Sequence, residues 1–219
     1  MIVEEHIQAF INSLNEEENS LIQELEQEAH EHHVPIIRPE TRQLLRFLLR
    51  LHRPERVLEI GTAIGYSATI MAAELAKGGR IDTIERNEGR YERAMYHLKR
   101  AGLLDVVTVH FGDALDILEQ LKEPYDFIFM DAAKGQYQNF FDLCADQLKP
   151  GGLLLCDNIL QEGSVSQSRY AVTRRDHTVH ARMRAFLYEI KHKKEFDTVI
   201  LPVGDGVAVL RKRESKEDV

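Results

Sequence analysis

The chain is poor in cysteine and has no long apolar run. Only Cys144 and Cys156 occur in 219 residues. One lies in a helix-like segment and the other in the apolar run Gly-Leu-Leu-Leu-Cys, so both read as reduced core thiols and a disulfide framework is excluded. No uninterrupted apolar stretch approaches the ~20 residues that a spanning helix needs, and Glu4 and Glu5 already interrupt the amino terminus. A cytoplasmic protein that does not enter the membrane is therefore expected. Internal repeats and low-complexity segments are absent as well. Lys and Arg are missing from residues 1–33, which hold nine Glu.

That last absence changes the meaning of the net charge. The formal value of -8 comes from 28 basic and 36 acidic residues, but once the nine amino-terminal Glu are set aside the remainder is close to neutral. The stretch 169–194 even inverts the sign, with Arg169, Arg174, Arg175, Arg182, Arg184, Lys191, Lys193 and Lys194 against Asp176 and Glu189. A solvated helix face is the commoner explanation for such a run, and a phosphate-contacting patch is the functional one.

At 219 residues, 43% of them hydrophobic, the chain suits one α/β domain with a modest extension. Residues 1–53 read as a helical extension. Ile2, Ile7, Phe10, Ile11 and Leu14, then Leu21, Leu25 and Ala29, then Leu44, Leu45, Leu48 and Leu49 recur at helical spacing, and Pro35 and Pro39 divide the segment. After Pro54 short apolar runs alternate with amphipathic stretches. Residues 57–60, 81–84, 106–109, 127–130 and 153–156 read as buried strands of a parallel sheet covered on both faces. The end departs from this rhythm: a basic helix near 173–194 precedes runs at 198–201 and 207–210, separated by a turn containing Gly204-Asp205-Gly206, which predicts an antiparallel hairpin. Residues 213–219 read as a frayed polar tail.

The residues that carry chemistry fall at the expected strand ends. Phe129-Met130-Asp131-Ala132-Ala133-Lys134 and Asp157-Asn158 bring two carboxylates, an amide oxygen and an amine to the ends of two neighbouring strands. This is the donor set of a hard-cation site beside a candidate proton acceptor. Capping by the two Asp is the plain alternative. Glu59-Ile60-Gly61-Thr62-Ala63-Ile64-Gly65 follows the first strand, and its glycines let backbone approach a ligand. The spacing is neither G-x-G-x-x-G nor a phosphate loop, and Glu59 would repel a pyrophosphate but suit a cationic amine and sulfonium. Glu85, ending the second strand, fits the ribose hydroxyls of NAD or S-adenosylmethionine equally. Asp113, in Gly112-Asp113-Ala114, fits an adenine amino group or a helix N-cap. His30, His32 and His33 suit an exposed helix end better than a metal site. His177 and His180 read as surface residues, Phe140 and Phe141 as core, and Tyr137 as either core or site.

Together the segments Glu31 to Ile36, Leu58 to Ser67, Thr83 to Asn87, Asp131 to Tyr137 and Asp157-Asn158 resemble the cation-dependent class I O-methyltransferases, the group of catechol and caffeoyl-CoA methyltransferases. Within that group they are most similar to the bacterial tRNA 5-hydroxyuridine methyltransferases. The resemblance runs in order over nearly the whole chain. It implies a Rossmann-like seven-stranded sheet with an antiparallel final strand and an N-terminal helical extension. It also implies S-adenosylmethionine and Mg²⁺ as cofactors, with Asp131, Asp157 and Asn158 as metal ligands and Lys134 as general base. Ile37, Glu59, Gly61, Ser67, Glu85, Asp113, Ala114 and Asp131 match positions that hold S-adenosylmethionine.

A cation that chelates two adjacent substrate oxygens demands a substrate with neighbouring oxygens. A catechol has them, and so does 5-hydroxyuridine, in its 5-hydroxyl and O4. The expected activity is methylation of 5-hydroxyuridine at the tRNA wobble position, with Arg169, Arg174 and Arg175 contacting the tRNA backbone. Methylation of a small catechol or a caffeoyl-CoA-like thioester is the alternative. Residues 159–172 are short of aromatics to sandwich a free ring, which favours tRNA. The acidic, amphipathic first helices suit a homodimer interface.

Overall fold

The computed structural model describes residues 2–132 and 134–214, and of Lys134 the backbone alone. Three helices come first: α1 (Glu5–Ser13), α2 (Ser20–Glu31) and α3 (Pro39–His52). Asn19 caps α2 by accepting from the Ile22 amide at 3.0 Å. Pro39, whose fixed φ suits a first turn, opens α3, and the left-handed Arg53 and then Pro54 end it. The remainder alternates as β1 (Arg56–Ile60), α4 (Tyr66–Ala72), β2 (Arg80–Glu85), α5 (Glu88–Arg100), β3 (Val107–Phe111), α6 (Ala114–Gln120), β4 (Tyr125–Met130), α7 (Tyr137–Gln147), β5 (Leu148–Cys156), α8 (His177–His192), β6 (Phe196–Leu201) and β7 (Val207–Lys212). Short 3₁₀ turns interrupt the chain at Lys134–Gln136, Gln161–Ser166 and Arg169–Ala171.

The strands form one sheet in the order β3-β2-β1-β4-β5-β7-β6. Strands β1 to β5 pair in parallel, and β7 runs antiparallel to both β5 and β6. The predicted terminal hairpin is therefore present. Alternate residues of each strand feed two cores, as the two-residue repeat requires. Leu58, Ile60, Ile128, Met130, Leu154 and Cys156 pack with α6, α7 and α8. Val57, Phe127, Phe129 and Leu155 pack with residues of α2, α3, α4 and α5. Both cysteines are buried and unpaired, and no helix among the described residues is long and apolar enough to cross a membrane.

Glu18, Glu24, Glu26 and Glu28 find Arg partners within the chain. Glu18 pairs with Arg42 at 3.2 Å and Arg46 at 2.5 Å, and Glu24 with Arg100 at 2.8 Å. Glu28 pairs with Arg93. Glu26 pairs with Arg42 and accepts the Tyr66 hydroxyl at 2.5 Å. The acidic face of α2 thus clasps α2 onto the domain instead of facing outward. The extension also leaves apolar side chains exposed: Phe10, Ile11 and Leu14 around the end of α1, and Phe47 and Leu51 on α3.

Three expectations need correction. The basic helix begins at His177, so Arg174 and Arg175 lie in the turn before it. His180 is buried, because its ring donates to the Gln167 carbonyl at 3.2 Å. The tail is tied down further than expected: Arg213 bonds Asp197 at 2.9 Å and Glu214 bonds Arg211 at 2.7 Å, while residues 215–219 lie outside the described residues.

Candidate active site

Ligands of open parallel sheets bind beyond the carboxyl ends of the strands where the winding reverses, which here is between β1 and β4. A cavity of about 580 Å³ opens there. Its wall includes Gly61, Ala63, Glu85, Asp113, Ala114, Asp131 and Asn158, with Ile36, Arg38, Arg86, Arg90, Gln136 and Phe140.

The turn after β1 is built around close approach. A Cβ on Gly61 would stand 2.2 Å from the Asp131 carbonyl oxygen, and φ there is +106°, so only glycine allows the ends of β1 and β4 to meet. The Ala63 amide, presented by this turn, donates to Glu85 Oε2 at 2.9 Å. Asn87 N donates to the other Glu85 oxygen at 2.8 Å. Both bonds orient the Glu85 carboxylate at the cavity wall and leave each oxygen further lone pairs.

Glu59 is fully buried behind that wall. Burial pushes its carboxyl up to about 7, opposed by the neighbouring Ser67 and Thr83 hydroxyls and assisted by the charges of Asp131 and Glu85. Thr83 Oγ1 donates to Glu59 Oε2 at 2.5 Å, whereas Oε1 has no partner among the described residues. A buried, orphaned carboxylate oxygen is costly unless a donor reaches it, and a cationic amine is the donor that best offsets the penalty.

Asp131, Asp157 and Asn158 converge at the ends of β4 and β5. Asn158, held at φ +58°, turns its amide so that Nδ2 donates to Asp131 Oδ1 at 2.8 Å. Asp157 is 1% exposed. Its Oδ1 accepts from Asn158 N at 2.8 Å and from Thr41 Oγ1 at 3.3 Å. Burial, then the charge of Asp131, raises the Asp157 carboxyl to about 7, with Asp205 adding to the rise. Asp157 does not cap the 3₁₀ turn that follows it, whose N-cap is Leu160. No group of three or more His, Cys, Asp or Glu suited to a metal occurs among the described residues. The set here is two carboxylates plus an amide, whose oxygen comes forward when the amide turns over. Its all-oxygen character and its two carboxylates fit a hard divalent cation.

Three distant residues brace this cluster; the sequence leaves Tyr137 open between core and site and marks neither Thr41 nor Asp205 as a site residue. Tyr137, in the core, donates its hydroxyl to the Asp157 carbonyl at 2.6 Å. Thr41 arrives from α3. Asp205, buried in the β6–β7 turn, accepts the Glu162 amide with its side chain and the Leu160 amide with its carbonyl at 3.0 Å. The flanking glycines are tightly fitted: a Cβ on Gly204 would meet Thr41 Oγ1 at 2.5 Å, and one on Gly206 would meet Leu160 Cγ at 2.3 Å. The hairpin turn is thus a wedge between α3 and the loop after Asn158. That loop is itself strained, with Gln161 and Glu162 both at positive φ.

Of the residues expected at the cofactor, Gly61, Glu85, Asp113, Ala114 and Asp131 share the cavity wall, and Asp113 is also the N-cap of α6, accepting from Leu115 N at 3.0 Å. Ile37, Glu59 and Ser67 are not on the wall. Ile37 packs its side chain into the core, and its neighbours Ile36 and Arg38 face the cavity instead. Lys134 opens the 3₁₀ turn after β4, and its side chain lies outside the described residues. Arg169, Arg174 and Arg175 are exposed, away from this cavity, and make no ion pair among the described residues.

Comparison with known proteins agrees with this architecture. A profile of the O-methyltransferase family matches residues 12–213. A catechol O-methyltransferase of Niastella koreensis is 37% identical over 133 residues, spanning 59% of this chain and 60% of that protein, which is less than two thirds of its length. Caffeoyl-CoA O-methyltransferase 3 of Nicotiana tabacum is 34% identical over 180 residues, 78% of this chain and 73% of that protein. Among solved structures, an O-methyltransferase from Bacillus cereus in complex with SAH superposes with a TM-score of 0.84 at 28% identity, over 95% of this chain and 97% of that one. The seven-stranded sheet, the cavity at its winding reversal and the family match over nearly the whole chain have one reading: this protein belongs to the O-methyltransferase family of catechol and caffeoyl-CoA methyltransferase type.

Proposed function

We propose that the protein transfers a methyl group from S-adenosylmethionine, with the help of Mg²⁺, to the 5-hydroxyl of 5-hydroxyuridine at the wobble position of tRNA. The observation that carries the methyl-transfer part is the joining of two half-sites at one cavity: the Gly61–Glu85–Asp113 wall and the Asp131–Asp157–Asn158 cluster. The names of the relatives support the reaction class, and SAH in the Bacillus cereus structure supports the cofactor.

S-adenosylmethionine supplies the methyl group on a cationic sulfonium. Mg²⁺, held by Asp131, Asp157 and Asn158, supplies the charge that favours an ionised substrate hydroxyl. The chain's own residues do the rest. Glu85 accepts from the ribose hydroxyls, and Asp113 and Ala114 border the adenine. Glu59 provides a negative field for the methionine ammonium from behind the wall, with Thr83 fixing its carboxylate and Ser67 beside it. Ile37 contributes a backbone contact at the methionine end. Lys134 is the group that takes the substrate proton, at the start of the turn that also carries Gln136 into the cavity wall. Phe140 and Ile36 exclude water from the reacting atoms.

The tRNA part rests on the sequence resemblance and on the exposed guanidinium groups of Arg169, Arg174 and Arg175, which suit phosphate contacts. A small catechol or a caffeoyl thioester is the second reading, favoured by the names of the relatives. The exposed apolar side chains of α1 and α3 support a homodimer. The deciding experiment offers labelled methyl donor with hypomodified tRNA, catechol or caffeoyl-CoA, followed by digestion of the RNA. Label in 5-methoxyuridine is the expected result. Label confined to the small acceptors overturns the tRNA reading.

A further inference from the structure

The loop leading into α8 presents an aromatic side chain to solvent on a braced scaffold. Tyr170 is 96% exposed, yet the backbone around it is pinned from α8. His180 donates to the Gln167 carbonyl at 3.2 Å, His177 to the Val172 carbonyl at 3.1 Å, and Arg184 to the Val165 carbonyl at 2.8 Å. Beside the tyrosine lies an open cup of about 570 Å³ lined by Ser166, Gln167, Ser168, Arg169, His180 and Arg184, with no acidic residue in its wall. Arg184 uses one of its five N–H groups on Val165, leaving donors for a ligand. The cup is coupled to the reaction centre on both sides. Its loop is continuous with Asn158, and Arg182 of the same helix donates to the Gly135 carbonyl, next to Lys134, at 3.2 Å.

An exposed ring on a pinned loop, beside guanidinium and hydroxyl donors, is the equipment of a nucleotide platform, in which a base stacks on the ring and its phosphate meets the arginines. We propose that residues 166–170 with Arg184 form a nucleotide-binding cup outside the methyl-transfer cavity. Arg169 and Arg184 take a phosphate, and Tyr170 stacks a base that flanks the target. This rests on the tRNA reading for its preferred ligand, an unpaired RNA segment. The nucleotide portion of a coenzyme A thioester carries the same chemistry and is the other source.

The test measures binding of a stem-loop RNA with 5-hydroxyuridine in its loop, and separately of coenzyme A, by wild type, Tyr170→Ala, Tyr170→Phe and Arg169→Gln, with melting curves to verify folding. Tyr170→Ala is expected to weaken RNA binding about tenfold, as loss of one base stack does. Tyr170→Phe restores most of it, and Arg169→Gln lowers the slope of log Kd against log salt by about 1. If wild type ignores the RNA, the tRNA reading fails. Coenzyme A binding that drops in Tyr170→Ala would then assign the cup to a thioester's nucleotide. The cup is overturned if Tyr170→Ala binds both probes as wild type does, or if wild type binds neither.

Discussion

Replacing Asp157 by asparagine is expected to stabilise the metal-free protein while removing its response to divalent cations. Asp157 is 1% exposed and its carboxyl is raised from 3.8 to about 7, first by burial and then by the charge of Asp131. A folded-state value above the unfolded one means that the native chain holds a proton which the unfolded chain releases. Stability therefore falls as pH climbs from about 4 to about 7, and the loss is complete above that. The ceiling is roughly 4 kcal/mol at ~1.4 kcal/mol per pH unit. Relaxation around the carboxylate leaves about 2 kcal/mol of it, or ~4–8 °C in Tm for a chain of this size. Asparagine keeps an oxygen for the Asn158 amide and the Thr41 hydroxyl, the two bonds that Asp157 Oδ1 accepts, so the gain is not offset by a lost acceptor. The assay is thermal unfolding in chelator at pH 8 and pH 5, then with Mg²⁺ or Mn²⁺ at pH 8. The variant should melt higher than wild type at pH 8, the gap should narrow at pH 5, and added cation should raise Tm in wild type alone, through a stabilisation of about 2.7 kcal/mol at a hundredfold excess over Kd. A variant that melts at or below wild type in chelator at pH 8 would refute the charge argument. A cation response equal to wild type would refute the ligand assignment.

Glu59→Gln removes the buried charge behind the cofactor wall and should weaken S-adenosylmethionine binding about tenfold by calorimetry; unchanged affinity would show that Glu59 is structural. Gly206→Ala forces a Cβ to 2.3 Å from Leu160 Cγ at φ +85°, and should destabilise by about 2–5 kcal/mol in urea unfolding. A near-neutral outcome would mean that the β6–β7 turn is not the wedge described. Phe47→Glu combined with Leu14→Glu places charge on the exposed apolar side chains of α3 and α1. Light scattering should find the wild type dimeric and the double variant monomeric; a wild-type monomer ends the dimer proposal.

Much of this architecture could be read locally. The strand runs, the carboxylate-Gly-x-x-x-Gly turn and the Asp-Ala-Ala-Lys and Asp-Asn pairs each announce themselves within a few residues, because two-residue and 3.6-residue repeats are set by neighbouring side chains. The Glu59, Gly61, Glu85 and Asp131 positions follow from being at the ends of such runs. The loop 159–172 was read as short of aromatics, but composition counts residues and not their exposure. Tyr170 gains its meaning from standing exposed on a loop whose Gln167 and Val172 carbonyls are held by His180 and His177.

By itself, then, the amino-acid order determined the parallel α/β alternation, the terminal hairpin, the family and the residues at the strand ends, all of which depend on short-range pattern. Only the tertiary structure decided that Thr41, Tyr137 and Asp205, up to 164 positions apart, brace Asp157 and the loop after it. It alone turned the acidic face of α2 inward onto Arg42, Arg93 and Arg100, and buried His180. The physical reason is that these contacts form where separately encoded elements cross, and the position of a crossing depends on sheet order and register rather than on adjacency in the chain.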